Sequence, residues 1–164
     1  MASVYLSLGS SIGDRAENIA RAIEALAAHD VRVVKQSSLY ETEPVEMREP
    51  EWFLNCVVET QTDLPPRELM HALLEIERSL GRERTASVTR KLPRIIDLDI
   101  LFYGSEIIRE PGLEIPHPRL VERRFVLVPL AEIAPGAVHP VLKKTVAELL
   151  AETIDRSEVR PWRS

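Results

Sequence analysis

The sequence is poor in cysteine and in aromatic residues. Its 164 residues include a single cysteine, Cys56, and aromatic residues make up only 5% of the chain. One cysteine cannot form a disulfide within the chain, which excludes a small disulfide-stabilised scaffold and is typical of a reducing compartment. We therefore expect a cytoplasmic protein that is held together by an apolar core.

Long apolar segments are missing as well. No apolar run reaches the roughly 20 residues of a membrane helix, and the start, MASVYLSLGSS, lacks the charged and long apolar regions of a signal peptide. We expect a first strand there and no membrane association. Because 164 residues suffice for one core and no repeat or low-complexity linker interrupts them, we expect one domain over residues 1–164.

Positive charge is in deficit. The chain has 21 lysine and arginine residues against 26 aspartate and glutamate residues, which gives a net charge of −5. An acidic chain without the aromatic-rich motif of an RNA-binding sheet is not expected to bind nucleic acid. Any positive field must therefore be local.

The order of the periodic segments predicts an α+β fold. Apolar residues that alternate, or that recur at helical spacing, predict strands at 3–8, 31–42, 53–62 and 95–103 and helices at 14–29 and 66–81. The order β-α-β-β-α-β is the pattern of a ferredoxin-like sandwich, an antiparallel sheet with two helices packed on one face. A helical C-terminal tail should follow, with short helices near 128–133 and 145–153. Residues 9–13 are predicted to form a turn.

The strongest chemical feature is the pair Asp97 and Asp99 in the strand IIDLDIL. Side chains two residues apart in a strand point to the same face, so the two carboxylates should lie side by side. They would repel each other unless a cation lay between them, and magnesium prefers carboxylate, phosphate and water oxygens. The alternative is that both simply project into solvent from an edge strand.

A basic stretch precedes this strand. Residues 81–94 carry one acid, Glu83, and five bases: Arg82, Arg84, Arg90, Lys91 and Arg94. Arginine binds phosphate in a bidentate manner, so this stretch next to two aspartates favours recognition of a polyphosphate. Considered alone, it could equally be a solvated basic loop.

Weaker candidates lie in three further places. His117 is held between two prolines and could contact a phosphate, although a structural histidine is the more common case. Phe53 and Asn55 share a strand face that suits a flat polar heterocycle, but such pairs are usually core packing. Arg123 and Phe125 could be a surface charge and a core residue. His139 has no metal-ligand spacing and is expected at the surface.

Together these segments resemble the 6-hydroxymethyl-7,8-dihydropterin pyrophosphokinase family of folate biosynthesis. The matching segments run in order through about residue 135: LSLGSSIGD, SSLYETEP, FLNCVV, IERSLGRER, PRIIDLDILFYG and IPHPRLVERRFVLVPLAEIAP. The link from PRIIDLDIL to PHPRL and RRFVLVPL is the most specific part. The resemblance implies the same ferredoxin-like architecture and one pyrophosphokinase domain.

The resemblance also implies an activity and a site. In this family the β,γ-pyrophosphoryl group of ATP, the co-substrate, moves to the pterin hydroxymethyl oxygen, and AMP is released. Two magnesium ions would be held by Asp97 and Asp99. The resemblance implies that the pterin is bound by Thr42, Phe53, Asn55, Asp97 and Phe125. It implies that ATP is bound by Glu77, Arg84, Arg94, Ile100, His117 and Arg123. Arg82 and Arg94 would clamp the phosphates during catalysis.

The sequence departs from the family pattern at one place, and two alternative functions stay open. The family usually has a small residue before the Pro-Arg pair, where this chain has Leu92, and the stretch 85–92 is slightly long. The alternatives are a kinase that transfers only the γ-phosphate and a ferredoxin-like module that binds without turnover. The expected partners are small-molecule substrates, and nothing in the sequence requires more than a monomer.

Overall fold

The structure, a computed structural model, describes residues 1–43, 52–81 and 95–163. Its strands are β1 (Ala2–Ser10), β2 (Val31–Gln36), β3 (Tyr40–Thr42), β4 (Phe53–Thr62), β5 (Asp97–Tyr103), β6 (Ile108–Glu110), β7 (Leu113–Ile115) and β8 (Val159–Pro161). Its helices are α1 (Arg15–Ala28), α2 (Pro66–Gly81), α3 (Arg124–Ile133) and α4 (Val146–Glu152). The predicted mixed α+β class with an antiparallel sheet is confirmed.

In the described part of the chain, six strands form the main sheet in the order β5-β1-β4-β3-β8, with β2 also paired to β4. Every pairing in it is antiparallel. Strands β2 and β3 lie end to end along the same side of β4, Val31 opposite Thr62 and Thr42 opposite Phe53. The two short strands β6 and β7 form a separate hairpin.

The strand predicted over 31–42 is wrong as one element. It is interrupted at Ser37, whose hydroxyl accepts a hydrogen bond from the Val57 N–H and donates one to the Ser38 carbonyl. The Ser37 hydroxyl thus forms hydrogen bonds with backbone groups, whereas a regular strand pair uses backbone groups alone. The strand ends at this point. The segments before and after Ser37 both carry residues common in strands, Val31, Val33 and Tyr40, so the sequence does not reveal the break.

Helices α1 and α2 pack on one face of the sheet. Asp14 caps α1 by accepting a hydrogen bond from the Glu17 N–H, and the apolar stripes of both helices meet alternate residues of the strands. The buried residues shared by the helices and the sheet include Leu6, Leu8, Leu54, Leu98, Ile19, Leu26, Leu69, Leu73 and Ile76. Because these strand residues point toward the helices, their neighbours in β1, β4 and β5 point to the opposite face of the sheet.

The C-terminal part contains the two predicted helices, α3 and α4, and adds features that the sequence did not predict. Helices α3 and α4 pack against the opposite face of the sheet, around a second core that includes Val57 and Leu101. The chain then adds β8 to the outer side of β3. Because β8 has only three residues, Val159–Pro161, it carries too little alternation to be predicted as a strand.

None of the helices in residues 1–43, 52–81 and 95–163 is both long and apolar enough to cross a membrane.

Candidate active site

The strand pairing aligns polar residues across the middle of the sheet. Gly9 of β1 lies opposite Asn55 of β4 and opposite Asp97 of β5. Ser7, two residues earlier, lies opposite Asp99. Because residues two apart in a strand share a face, this places the amide and both carboxylates on the face that carries α3.

A cavity of about 270 Å³ opens above this row. It is lined by Ser7, Gly9, Thr42, Glu43, Phe53, Asn55, Asp97, Asp99, Arg123 and Phe125. All five residues that the family resemblance assigned to the pterin therefore line one cavity. We call it the sheet cavity.

One wall of the sheet cavity is a fixed amide. The Asn55 side chain is 3% exposed, and its Nδ2 donates a hydrogen bond to the Thr42 hydroxyl at 2.8 Å. Gly9 lies against it, because a Cβ added to Gly9 would be 2.9 Å from the Asn55 Oδ1. The amide is thus held at a set angle, and its polar edge can read the hydrogen-bond pattern of a flat ligand.

The two aspartates supply the acidic wall. Both lie in β5, and the Asp99 side chain remains 45% exposed. Carboxylate oxygens at an open cavity are the donors that magnesium prefers, with phosphate and water completing its coordination. Within the described residues no group of three or more histidine, cysteine or acidic side chains is placed to hold a metal. The pair therefore fits a metal that a phosphate ligand also contacts.

The start of α3 closes the sheet cavity from above. Arg123 precedes the first turn of the helix, and its guanidinium carbon lies 5.5 Å from the centre of the Phe125 ring. A cation over an aromatic face is a favourable contact that holds both groups in place. The lining of the cavity thus combines a positive group and a half-buried ring with the two carboxylates.

A second cavity, of about 370 Å³, adjoins the first. We call it the edge cavity, because it lies beside the edge strand β5. It is lined by Met70, Leu73, Leu74, Glu77, Leu98, Asp99, Ile100, Gly112, Leu113, Glu114, His117 and Pro118. Asp99 lines both cavities. Of the residues that the resemblance assigned to ATP, Glu77, Ile100 and His117 lie here, while Arg123 lines the sheet cavity.

Glu77 also fixes the strand that carries the aspartates. Its Oε2 accepts a hydrogen bond of 2.7 Å from the N–H of Leu98, which lies between Asp97 and Asp99. This contact ties α2 to the outer edge of β5, where no further strand pairs in the described sheet. The position of both carboxylates therefore depends in part on Glu77.

His117 faces the shared carboxylate. Its Nδ1 accepts a hydrogen bond from the Arg119 N–H, so the neutral ring carries its proton on Nε2, which lies 4.0 Å from the Asp99 Oδ1. Burial lowers the pKa of His117, and Arg123 and Arg119 lower it further, against the opposing effect of Asp99 and Glu114. The ring is therefore a neutral hydrogen-bond donor near neutral pH.

Three predicted phosphate contacts, Arg82, Arg84 and Arg94, lie outside the described residues, as does Leu92. The structure adds other residues that the sequence did not single out. Gly9 was predicted in a turn but belongs to β1, and a glycine inside a strand is the signal for a close approach of this kind.

The predicted exposure of His139 is wrong. It was expected at the surface, yet it is 7% exposed, and its Nδ1 accepts hydrogen bonds from the N–H groups of Val141 and Leu142. Its ring meets the Phe102 ring edge to face. It is a structural histidine that holds the turn before α4.

Comparisons with known proteins identify the family. The family model of 7,8-dihydro-6-hydroxymethylpterin-pyrophosphokinase (HPPK) matches residues 5–135. The chain is 45% identical to the 2-amino-4-hydroxy-6-hydroxymethyldihydropteridine pyrophosphokinase of Methylorubrum extorquens, over 93% of this chain and 94% of that protein. It is 44% identical to the protein of the same name from Bacillus subtilis, over 97% of this chain and 89% of that protein.

Longer proteins contain a matching part. The chain is 43% identical to the folic acid synthesis protein fol1 of Pneumocystis carinii over 97% of this chain, but it spans only 21% of that relative's length. A solved structure of Plasmodium falciparum HPPK-DHPS has the same fold, with a TM-score of 0.73, 18% identity and coverage of 92% of this chain and 45% of that one. With a match that covers most of its length and full-length relatives above 40% identity, the chain belongs to the 7,8-dihydro-6-hydroxymethylpterin-pyrophosphokinase family.

Proposed function

We propose that this chain transfers the pyrophosphoryl group of ATP to the hydroxymethyl oxygen of 6-hydroxymethyl-7,8-dihydropterin and releases AMP. The observation that carries the proposal is that Asp99 lines two adjoining cavities of different character. One presents an amide and aromatic rings, and the other is bounded by aliphatic side chains and a neutral histidine. A flat heterocycle and a nucleotide would thus meet at the carboxylates.

The pterin is assigned to the sheet cavity. Its ring would lie between Phe53 and Phe125, which supply apolar faces, while Asn55 and the groups near Thr42 read its polar edge. Since the Asn55 amide is already bonded to Thr42, little ordering is needed when the ligand binds. The hydroxymethyl group would then point toward Asp97 and Asp99.

The nucleotide is assigned to the edge cavity. Ile100 and the apolar side chains of α2 would contact the base, and Glu77 lies at the same wall. The Nε2–H of His117 would donate to a phosphate oxygen, and Arg123 would approach the phosphates from the sheet cavity. From the family resemblance we also assign Arg82, Arg84 and Arg94 to the phosphates, with Arg82 and Arg94 as clamps.

In the transfer, the pterin hydroxymethyl oxygen releases its proton to water and forms a bond to the β-phosphorus. The bond from that phosphorus to the oxygen shared with the α-phosphate breaks, and this oxygen leaves as part of AMP. Asp97 and Asp99 would hold two magnesium ions, which when bound would offset the negative charge of the phosphates. The protein's own part is to align the two substrates and to surround the phosphates with donors.

Further expectations belong to the same proposal. The strand order of the main sheet supports a ferredoxin-like unit built from β1 to β5 with α1 and α2, within one domain over 1–164. We propose that the chain acts as a cytoplasmic monomer. Burial raises the pKa of the Cys56 thiol to about 12, so this cysteine stays protonated and unreactive.

Product analysis tests the function. The protein is incubated with ATP, magnesium and the pterin, and AMP and ADP are separated by chromatography. AMP that appears only when pterin and magnesium are both present supports pyrophosphoryl transfer. ADP would instead indicate a kinase that moves the γ-phosphate, and pterin binding without any product would indicate a binding module.

A further inference from the structure

The back of the sheet cavity is built from charges that the proposed reaction does not use. Thr42 and Phe53 are paired residues of β3 and β4 that line the cavity. Glu41, next to Thr42, points to the opposite face of the sheet because side chains alternate along a strand. Residues that contact Glu41 therefore stabilise the cavity wall at Thr42 from the opposite face of the sheet.

Two arginines hold the Glu41 carboxylate. Arg15, at the start of α1, places Nη2 3.0 Å from Oε2. Arg160, in β8, places Nη2 3.3 Å and Nε 3.4 Å from Oε1. The Glu41 side chain is only 17% exposed and that of Arg15 only 19% exposed. A half-buried carboxylate between two cations is held more firmly than an isolated surface ion pair.

The same two arginines hold Trp52, the residue before Phe53. The guanidinium carbon of Arg160 lies 4.0 Å from the centre of the Trp52 ring, and the Arg15 Nη1 donates to the Trp52 carbonyl at 2.6 Å. Arginine over an indole ring is the favoured form of cation–π contact. Arg160 therefore contacts both Glu41 and Trp52. These are the sequence neighbours of Thr42 and Phe53, which line the cavity.

Strand β8 brings Arg160 to this place. It pairs with β3 in register, Arg160 opposite Glu41 and Val159 opposite Thr42. Just outside the strand, the Glu158 N–H donates to the Glu43 Oε1 at 2.8 Å, and Glu43 lines the sheet cavity. On the other side, the Trp162 N–H donates to the Leu39 carbonyl. Residue 160 lies well beyond residue 135, where the family-model match ends.

We propose that Arg160 is a positioning residue for the pterin: through Glu41 and Trp52 it holds Thr42 and Phe53 at the spacing that the flat ligand needs. The inference rests on the proposed assignment of the sheet cavity to the pterin. Arg160 lies behind the wall and lines neither cavity, so it acts on affinity for one substrate.

The test compares Arg160→Ala with Arg163→Ala, the matched loss of an exposed arginine three residues further along. AMP formation is measured against pterin and ATP concentration, and thermal unfolding is recorded for each protein. For Arg160→Ala we expect the KM for pterin to rise about threefold to tenfold, with kcat and the KM for ATP within about twofold of wild type. Arg163→Ala should match wild type throughout.

A second variant and a double-mutant cycle keep the test decisive. Arg160→Lys retains a charge near Trp52 but loses the two-nitrogen contact with Glu41, so its pterin KM should lie between wild type and Arg160→Ala. Combined with Trp52→Leu, Arg160→Ala should add less than its effect alone, because both changes remove one contact.

The outcomes separate the inference from the proposed function. An Arg160→Ala protein with wild-type pterin KM, or with equal rises in the KM for pterin and for ATP, overturns the positioning role while leaving the function in place. A rise of equal size in Arg163→Ala does the same. A wild-type protein that forms no AMP contradicts the proposed function itself.

Discussion

Gly9 and Asn55 face each other across strands β1 and β4, and the space between them is already filled. A single methyl group added to Gly9 would stand 2.9 Å from the Asn55 Oδ1, closer than side-chain atoms normally approach. Asn55 cannot turn away freely, because its Nδ2 is bonded to the Thr42 hydroxyl. The glycine therefore sets the position of the amide that we assign to the pterin.

Gly9→Ala should weaken pterin binding. Since the new methyl group displaces the Asn55 amide, we expect an affinity loss of about tenfold, with a stability cost of about 1–3 kcal/mol for overpacking. Titration of pterin by fluorescence or calorimetry measures the first, and urea unfolding the second. Gly136→Ala is the control, because among the described residues, apart from its two neighbours in the chain, no heavy atom lies within 4 Å of its added Cβ. Unchanged pterin affinity in Gly9→Ala would remove Asn55 from the site.

Replacing either aspartate should stop turnover without unfolding the protein. Asp97→Asn and Asp99→Asn keep the side-chain volume but remove a carboxylate charge, so we expect AMP formation to fall at least about 100-fold at saturating magnesium. The control is Asp63→Asn, at a side chain that is 80% exposed and pairs with the chain's amino terminus. A variant that keeps most of its turnover would refute the two-aspartate metal site.

Phe125→Ala should act on the pterin more than on ATP. Loss of the ring removes one face of the sheet cavity, so the Kd for pterin should rise about tenfold or more. The Kd for ATP, whose base is assigned to the edge cavity, should stay within about threefold. Equal losses for both ligands would argue that Phe125 holds the fold at α3 and does not stack on the pterin.

His139 should make the protein less stable in mild acid. Burial lowers its pKa in the folded state, so below the unfolded pKa of 6.5 the unfolded chain binds more protons. Stability is therefore complete above about pH 6.5 and is lost as the pH falls toward the lowered folded pKa. His139→Asn should reduce this loss in urea unfolding between pH 7.5 and pH 5, while the control His71→Asn, at an exposed position, should not.

The slope should not vanish in His139→Asn, because the pKa of His117 is also lowered by burial. Because Nδ1 accepts the N–H groups of Val141 and Leu142, it cannot be protonated without losing both hydrogen bonds. A variant that follows the wild-type pH dependence throughout would show that His139 does not contribute to the loss of stability in acid.

Much of the fold was predictable, because local signals and tertiary packing agree in the first half of the chain. The Asp14 cap of α1 and the start of α2 at Pro66 both follow from residue type and spacing. The position of α3 and α4 on the far side of the sheet was not predictable. An apolar stripe shows that a helix packs against something, but it does not show against which face of the sheet.

The candidate site was predictable where chemistry is concentrated in a motif. Asp97 and Asp99 stand out as charges in an apolar strand, and the family resemblance pointed to Asn55 and Phe125. Gly9 and Arg160 were missed for a physical reason: each acts through a residue far away in sequence, Asn55 and Glu41. Only the strand register brings these pairs together.

The most direct test of this account is a crystal structure with the pterin, magnesium and α,β-methylene ATP, in which a carbon replaces the bridging oxygen of the bond to be broken. We expect the pterin in the sheet cavity against Asn55, the base in the edge cavity beside Ile100, and metal density touching Asp97 and Asp99. A pterin bound elsewhere, or metal that contacts neither aspartate, would overturn these assignments.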